Sequence, residues 1–324
     1  MILAGDVGGT KTILALVDRD GAGRLSIQQE QTFASGEYPS LEAIMDLFLP
    51  PEVTVDAACI GFAGAVVDQR CFATNLTWSL DGASLKHRLQ TDKVRLLNDL
   101  EAMALGMLHL PAADFVELNP NAESHTGNMA VIAAGTGLGE AMLYWDGERH
   151  HPVATEGGHC SFAPQTPLQE QLLQFLRQRF PTHVSYERIL SGAGFSHLYD
   201  FVVDSGIAPA CPAVPPARIK GMDRNAVISR LGITGEDPAC TAALNLFVEV
   251  YGAEAGNLAL KSLATGGIFI GGGIGPKIRG ALENGNLLQN FVAKGRFETL
   301  LSTMSVKLAL NPKTPLIGAM HYFA

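Results

Sequence analysis

Gly5-Asp6-Val7-Gly8-Gly9-Thr10 and its counterpart Ala134-Gly135-Thr136-Gly137-Leu138-Gly139 decide the fold. Each follows a short apolar run that reads as a strand, Met1–Ala4 and Met129–Ala133, and each precedes another, Ile13–Val17 and Ala141–Trp145. Strand, glycine turn, strand is a hairpin able to offer backbone N–H groups to an anion. A phosphate approaches a backbone closely only where no Cβ intervenes, and tight turns often need positive φ, so glycine is expected. Threonine adds a hydroxyl. Asp6 repels a phosphate unless a cation lies between them; Mg²⁺ typically takes one or two carboxylates and keeps its waters. The first loop therefore reads as a site for nucleotide phosphates and Mg²⁺. The second repeats its design, which suggests two related domains.

Other glycine motifs fit poorly. There is no Walker run ending in Gly-Lys-Ser/Thr, and the alternating Gly135, Gly137 and Gly139 precede a strand rather than the helix of a dinucleotide fingerprint. The chain has 324 residues, enough for two domains, with 47% hydrophobic and 17% charged residues. A formal charge of −9 without a Lys/Arg cluster argues against nucleic acid or an anionic membrane as partner. No apolar run is long enough for a bilayer span, and a cytoplasmic protein is expected. Cys59, Cys71, Cys160, Cys211 and Cys240 are scattered, with no Cys-x-x-Cys, so neither a zinc site nor a disulfide framework is expected. Cys160 reads as packing.

Between the loops, Leu41, Ile44, Met45 and Phe48 recur at helical spacing behind Ser40, a plausible cap. A strand Val94–Leu97 runs into Asn98-Asp99, followed by a helix with Leu100, Met103, Ala104 and Met107 on one face. Helices are expected near Pro167–Arg179 and Tyr186–Ile189, a loop over Ala208–Pro216, and a long helix from Asp237-Pro238 towards Leu263, stopped by Gly266-Gly267. Ile268–Ile270 reads as a buried strand with Gly271–Gly273 as a loop at its carboxyl end, where ligands bind in α/β sheets. Pro315–Phe323 looks helical.

Asn98-Asp99 also ends a strand. A carboxylate there can take the proton of an attacking hydroxyl, and an amide suits a polyol. Asp99 can equally cap the following helix, and the residues alone leave both open. In Glu156-Gly157-Gly158-His159, a carboxylate and an imidazole flank two glycines and could read neighbouring sugar hydroxyls.

Taken with Thr74-Asn75-Leu76-Thr77-Trp78, Glu187-Arg188-Ile189-Leu190-Ser191-Gly192, Gly271-Gly272-Gly273-Ile274 and Leu316-Ile317-Gly318-Ala319, these segments resemble the bacterial glucokinase family of the sugar kinase/actin/Hsp70 superfamily over essentially the whole chain. The resemblance implies a two-domain α/β fold, actin-like (ribonuclease H-like), with an interdomain cleft. It sends the last helix back to the N-terminal domain, giving residues 1–108 plus about 302–324 and residues 109–301. It implies ATP-dependent phosphorylation of D-glucose at the 6-hydroxyl, the entry step of glycolysis, with a kinase for mannose or fructose as the near alternative. Asp99 matches the family's general base. Asn98, Glu156, His159 and Glu187 match its sugar ligands. Gly5, Asp6, Gly8, Gly9, Thr10, Thr136, Gly137, Gly271 and Gly272 match its ATP contacts, Asp6 holding Mg²⁺ through water. Asn75 and Trp78 fall on a loop that borders the sugar in the family, with packing the favoured reading for Trp78. Lys11 replaces an asparagine found in some relatives. A homodimer is also implied. A nucleotide-driven binding protein of the same fold would have no use for Glu156 and His159. A sugar-responsive repressor needs a helix-turn-helix, whereas here the first strand begins at Met1, and the cysteine-rich motif of many members of the repressor/ORF/kinase group is missing.

Overall fold

A computed structural model describes residues 1–72, 78–216 and 223–324. Asn75, singled out above, lies outside them. The chain divides into two compact units, one comprising Met1–Asp114, His151–Ala154 and Asn311–Ala324, the other Phe115–His150 and Thr155–Leu310.

The first unit is built on a sheet whose strands lie in the order Leu25–Ala34, Lys11–Arg19, Ile2–Val7, Ala57–Phe62, Val94–Asn98. Ile2–Val7 pairs antiparallel with Lys11–Arg19 and parallel with Ala57–Phe62, which is parallel to Val94–Asn98. Alternate residues serve opposite faces. Leu14 and Leu16 pack with the helix Leu41–Phe48, while Ile13, Ala15 and Val17 pack with Ala102, Leu316 and Ala319. Both faces of the inner strands are covered, which is why Ile13–Val17 and Ala57–Phe62 read as apolar runs, whereas the edge strand Leu25–Ala34 is polar and mostly exposed. Ser40 caps the helix as expected, its Oγ accepting from Ala43 N–H at 3.3 Å, and all four periodic apolar residues are buried.

The helix Thr314–His321 packs on the helix Asp99–Met107. This alters the expected buried face: Ala102 and Gly106 are buried in addition to Leu100, Ala104 and Met107, while Met103 is only half-buried. The two backbones touch. A Cβ on Gly318 would overlap the Ala102 carbonyl, and one on Gly106 the Thr314 carbonyl. Gly318→Ala is therefore expected to destabilise the protein by about 2–3 kcal/mol, the scale of core overpacking, against a gain of at most about 1 kcal/mol from helix propensity. Urea denaturation checks this through a lower midpoint.

At the far end of the same helix pair the rings of His109 and His321 stack 3.7 Å apart. Burial first, and then the neighbouring His109, push His321 down to about 4. Between pH 6.5 and about 4 the unfolded chain binds the proton that the folded one refuses, so stability is full above 6.5 and falls as pH drops through that window. The melting temperature is expected to fall over this range by a few degrees less in His321→Asn than in the parent.

The second unit repeats the connection pattern. Met129–Ala134 pairs antiparallel with Leu138–Trp145 and parallel with Gly267–Gly271, which is parallel to Val306–Ala309; Phe115–Glu117 adds antiparallel to the last. Hairpin, parallel strand, parallel strand is thus shared by both units. The main helical support is Pro238–Ser262, capped by Asp237 through Cys240 N–H at 2.9 Å. It buries Leu244, Phe247, Val248, Tyr251 and Leu258, as its periodicity predicts. Its end differs from expectation. Leu263, left-handed at φ 45°, closes the helix, and the glycines come later: Gly267, at φ 119°, opens the next strand. Tyr186–Arg188 is a single 3₁₀ turn, shorter than the expected helix. No helix among the described residues is long and apolar enough to cross a membrane.

Candidate active site

In the first unit the candidate residues lie at the carboxyl ends of two parallel strands, Ile2–Val7 and Val94–Asn98, with Ala57–Phe62 between them. Gly5 and Asp6 lie inside the strand Ile2–Val7, so the turn proper is only Gly8-Gly9-Thr10. Gly5 is there for packing, since a Cβ would lie 2.7 Å from Ile60 Cδ1. The turn closes by Gly8 N–H donating to Lys11 O at 2.9 Å. No glycine of either loop has positive φ, which corrects that part of the expectation: both turns form with ordinary backbone angles. The loop is braced from below. Ser35 N–H donates to Thr10 O at 3.0 Å, and Ser35 Oγ donates to Gly8 O at 2.8 Å while lying 3.0 Å from Thr12 Oγ1. Thr12, in a strand, and Ser35, opening a 3₁₀ turn, are fully buried and were invisible as function, because isolated hydroxyl residues carry no signature.

Burial pushes the Asp6 carboxyl up to about 6, with Lys11 working in the opposite direction. Lys11 offsets only part of the effect of burial, so the carboxylate stays short of positive charge, which fits a group that receives a hydrated cation. Lys11 is itself exposed.

Asn98, not Asp99, is the helix cap. Its Oδ1 accepts from Leu100 N–H at 2.8 Å, and its own N–H donates to Glu101 Oε2 at 3.0 Å, completing a capping box. Asn98 Nδ2 donates to Gly64 O at 3.0 Å. Both polar ends of this amide are thus engaged with backbone, leaving one amide hydrogen and one lone pair for any ligand. Asp99 is the first helical residue and is half-buried. Trp78 is buried, its indole N–H donating to Tyr38 O at 3.1 Å, so it packs.

In the second unit the turn is Gly135-Thr136-Gly137, closed by Gly135 N–H to Gly137 O at 2.8 Å. Glu187 reaches into it. Its Oε2 accepts from Leu138 N–H at 3.0 Å and occupies the space that a Cβ on Gly137 would fill. Its Oε1 lies 3.8 Å from His159 Nε2, and His159 Nδ1 lies 4.0 Å from Glu156 Oε2. The three predicted sugar ligands therefore form one linked set. Glu156 and His159 are mostly exposed, with side chains 67% and 61% accessible, so both remain open to a ligand. Gly157–His159 is a 3₁₀ turn pressed against the strand Leu138–Trp145: a Cβ on Gly158 would overlap the Leu138 carbonyl. Cys160, expected to pack, is exposed, because the tight turn directs it outward. Below the turn lies Glu140, a residue the sequence reading missed. It is buried, and burial first, then Glu254, push it up to about 8. Gly272, at φ 80°, passes so close to Ala134 that a side chain would overlap its carbonyl, which places the Gly271–Gly272 bend beside the second turn.

Asp6, the first turn, Asn98 and Asp99 belong to one unit, and the second turn, Glu156, His159, Glu187 and Gly271–Gly272 to the other. Backbone N–H groups, hydroxyls and a carboxylate suit a polyphosphate with its metal; two carboxylates and an imidazole suit a polyol.

Comparison with known proteins bears on this chemistry. The family model described as Glucokinase matches residues 3–324. A glucokinase from a Nostoc species is 38% identical over 98% of this chain and 97% of its own length, and one from a Synechocystis species is 38% identical over 98% and 96%. The crystal structure of a glucokinase from an Antarctic psychrotroph superposes with a TM-score of 0.85 at 33% identity, covering 98% of this chain and 97% of the other.

Proposed function

Because this chain belongs to the glucokinase family, we propose an assignment of the reaction's steps to its own residues. The protein has the actin-like ATPase fold and catalyses ATP-dependent phosphorylation of D-glucose. The observation that carries the assignment is the linked set Glu156–His159–Glu187 seated on the turn Gly135-Thr136-Gly137. It joins hydroxyl-reading groups to a phosphate-type loop through one side chain.

Glu156, His159 and Glu187 bind the sugar hydroxyls, with the remaining amide valences of Asn98 as a fourth contact. Asp99 accepts the proton of the 6-hydroxyl as its oxygen bonds to the γ-phosphorus and the bond to the β-phosphate oxygen breaks, giving glucose 6-phosphate and ADP. Thr10, Thr136 and the N–H groups of the two turns hold the phosphates; Gly8 and Gly135 spend their own N–H groups on closing the turns and contribute shape. Gly271 and Gly272 pass along the nucleotide. Asp6 would hold a hydrated Mg²⁺, which when bound would neutralise charge on the phosphate oxygens.

Asp6 supplies a specific check. Protons compete for its carboxyl below about pH 6. The Mg²⁺ concentration giving half-maximal rate is expected to rise roughly tenfold per pH unit below that value, the slope of a single competing proton. Asp6→Asn should need more Mg²⁺ at every pH and lose the slope. An unchanged slope in the variant would remove Asp6 from the metal site.

Isothermal titration with glucose, mannose and fructose, with and without a non-hydrolysable ATP analogue, tests the reading. Glucose binding strengthened by the analogue, and weaker binding of the other two, supports it; equal affinity for all three favours a broader hexose kinase. The homodimer implied by the resemblance predicts a sedimentation mass twice that of the chain.

A further inference from the structure

The five cysteines look scattered in the sequence, yet the fold brings two of them to one carboxylate. Cys211 Sγ, a carboxylate oxygen of Asp237 and Cys240 Sγ all lie within 4.8 Å of one another. The cluster is held within the second unit by a loop residue and the first turn of the long helix. It plays no part in the sugar or nucleotide chemistry above. We propose that Cys211, Asp237 and Cys240 bind one thiophilic divalent cation, of which Zn²⁺ is the commonest, with water as fourth ligand.

Three features support this. The first is spacing. Asp237-Pro238-Ala239-Cys240 has the two-residue gap of a metal-binding Cys-x-x-Cys, with an oxygen donor in place of the first sulfur. That replacement hid the motif, and the third ligand lies 26 residues before Asp237 (237 − 211) on a Pro-rich loop. A tetrahedral ion about 2.3 Å from each sulfur needs the two sulfurs about 3.8 Å apart, within reach of the observed cluster.

The second is support behind the ligands. Asp237 Oδ1 accepts from Cys240 N–H at 2.9 Å, which fixes the carboxylate. Cys211 N–H donates to Tyr199 OH at 2.7 Å, and Arg224, itself paired with Asp200 at 2.6 Å, stacks over the Tyr199 ring. Ligating groups whose orientation is held by such bonds are characteristic of metal sites.

The third is charge. Two thiolates, one carboxylate and a divalent cation sum to −1. The occupied site lies at the amino end of a 25-residue helix, whose free N–H groups favour negative charge and thiolate formation. Metal ligation requires the thiolate form, so binding releases protons from the thiols to solvent. The occupied site ties the loop around Cys211 to the start of the long helix.

The test uses the full chain, reduced and stripped with chelator, titrated with Cd²⁺ as an absorbing probe and then with Zn²⁺ in competition with a chromophoric chelator. One equivalent of Cd²⁺ should produce a sulfur-to-metal charge-transfer band. Cys211→Ser and Cys240→Ser should each abolish it. Asp237→Asn, which keeps a competent helix cap, should weaken binding roughly tenfold to a hundredfold. Cys160→Ser should change nothing. Zn²⁺ should raise the melting temperature of the parent but not of the double variant Cys211→Ser/Cys240→Ser. Absence of the band, or a full band in the double variant, overturns the proposal; the three residues are then a hydrogen-bonded thiol cluster.

Discussion

Asp99→Ala is expected to lower kcat by about 10²–10⁴-fold, the range of general-base catalysis, and to leave ATP-analogue affinity nearly unchanged. The structure makes this a clean experiment. The helix that begins at Asp99 is capped by Asn98 and Glu101, so the capping box survives the substitution. What is lost structurally is one acidic group in the first turn, worth roughly 0.3–1 kcal/mol, together with its contact to Leu100 N–H at 3.0 Å, a donor that Asn98 Oδ1 also accepts from. The expected kinetic loss corresponds to about 3–5 kcal/mol of barrier. The two effects differ enough in size to be told apart, the first by melting temperature and the second by turnover with saturating substrates. Asp99→Asn sharpens the comparison by keeping the shape and removing the basicity. A variant with near-normal kcat would return Asp99 to a purely structural role.

Glu187→Ala is expected to have the second largest effect, because this one carboxylate serves two sites. One oxygen accepts the Leu138 N–H as the chain leaves the second phosphate turn, and the other faces His159. A hydrogen bond to a charged group contributes about 1.5–3 kcal/mol, so losing a single sugar contact raises KM for glucose about 10–100-fold. The freed N–H and the loosened turn add a fall in kcat. In Glu187→Gln the carboxamide oxygen still accepts from Leu138 and the amide faces His159 as a donor, so kcat should recover while KM for glucose stays raised. Steady-state kinetics with each substrate varied in turn separates the two effects. If Glu187→Ala alters thermal stability and KM for ATP alone, the residue is a brace for the turn and the sugar assignment fails.

Much of the fold was legible locally. The two strand–turn–strand runs form the hairpins they suggest, Ser40 and Asp237 cap the helices they precede, and Trp78 packs. Local signals sufficed there because hairpin pairing, capping and apolar periodicity involve residues close in the chain. The family resemblance contributed the rest of the candidate site, Glu187 above all, which nothing in its own neighbourhood singles out.

The sequence by itself determined the elements, their polarity and the residue types available for chemistry. Tertiary structure decided what those residues do. Asp99 read equally as base or as helix cap until backbone direction gave the cap to Asn98. Gly137 was read as a turn former and Gly158 only as a spacer between two polar residues, yet neither has positive φ and both are glycine because Glu187 and Leu138 occupy the space of a side chain. Cys211 and Cys240 were strangers until a loop met a helix terminus around Asp237. The physical reason is common to all three: a residue's role depends on what fills the few ångströms around it, and in a packed interior those neighbours come from distant parts of the chain.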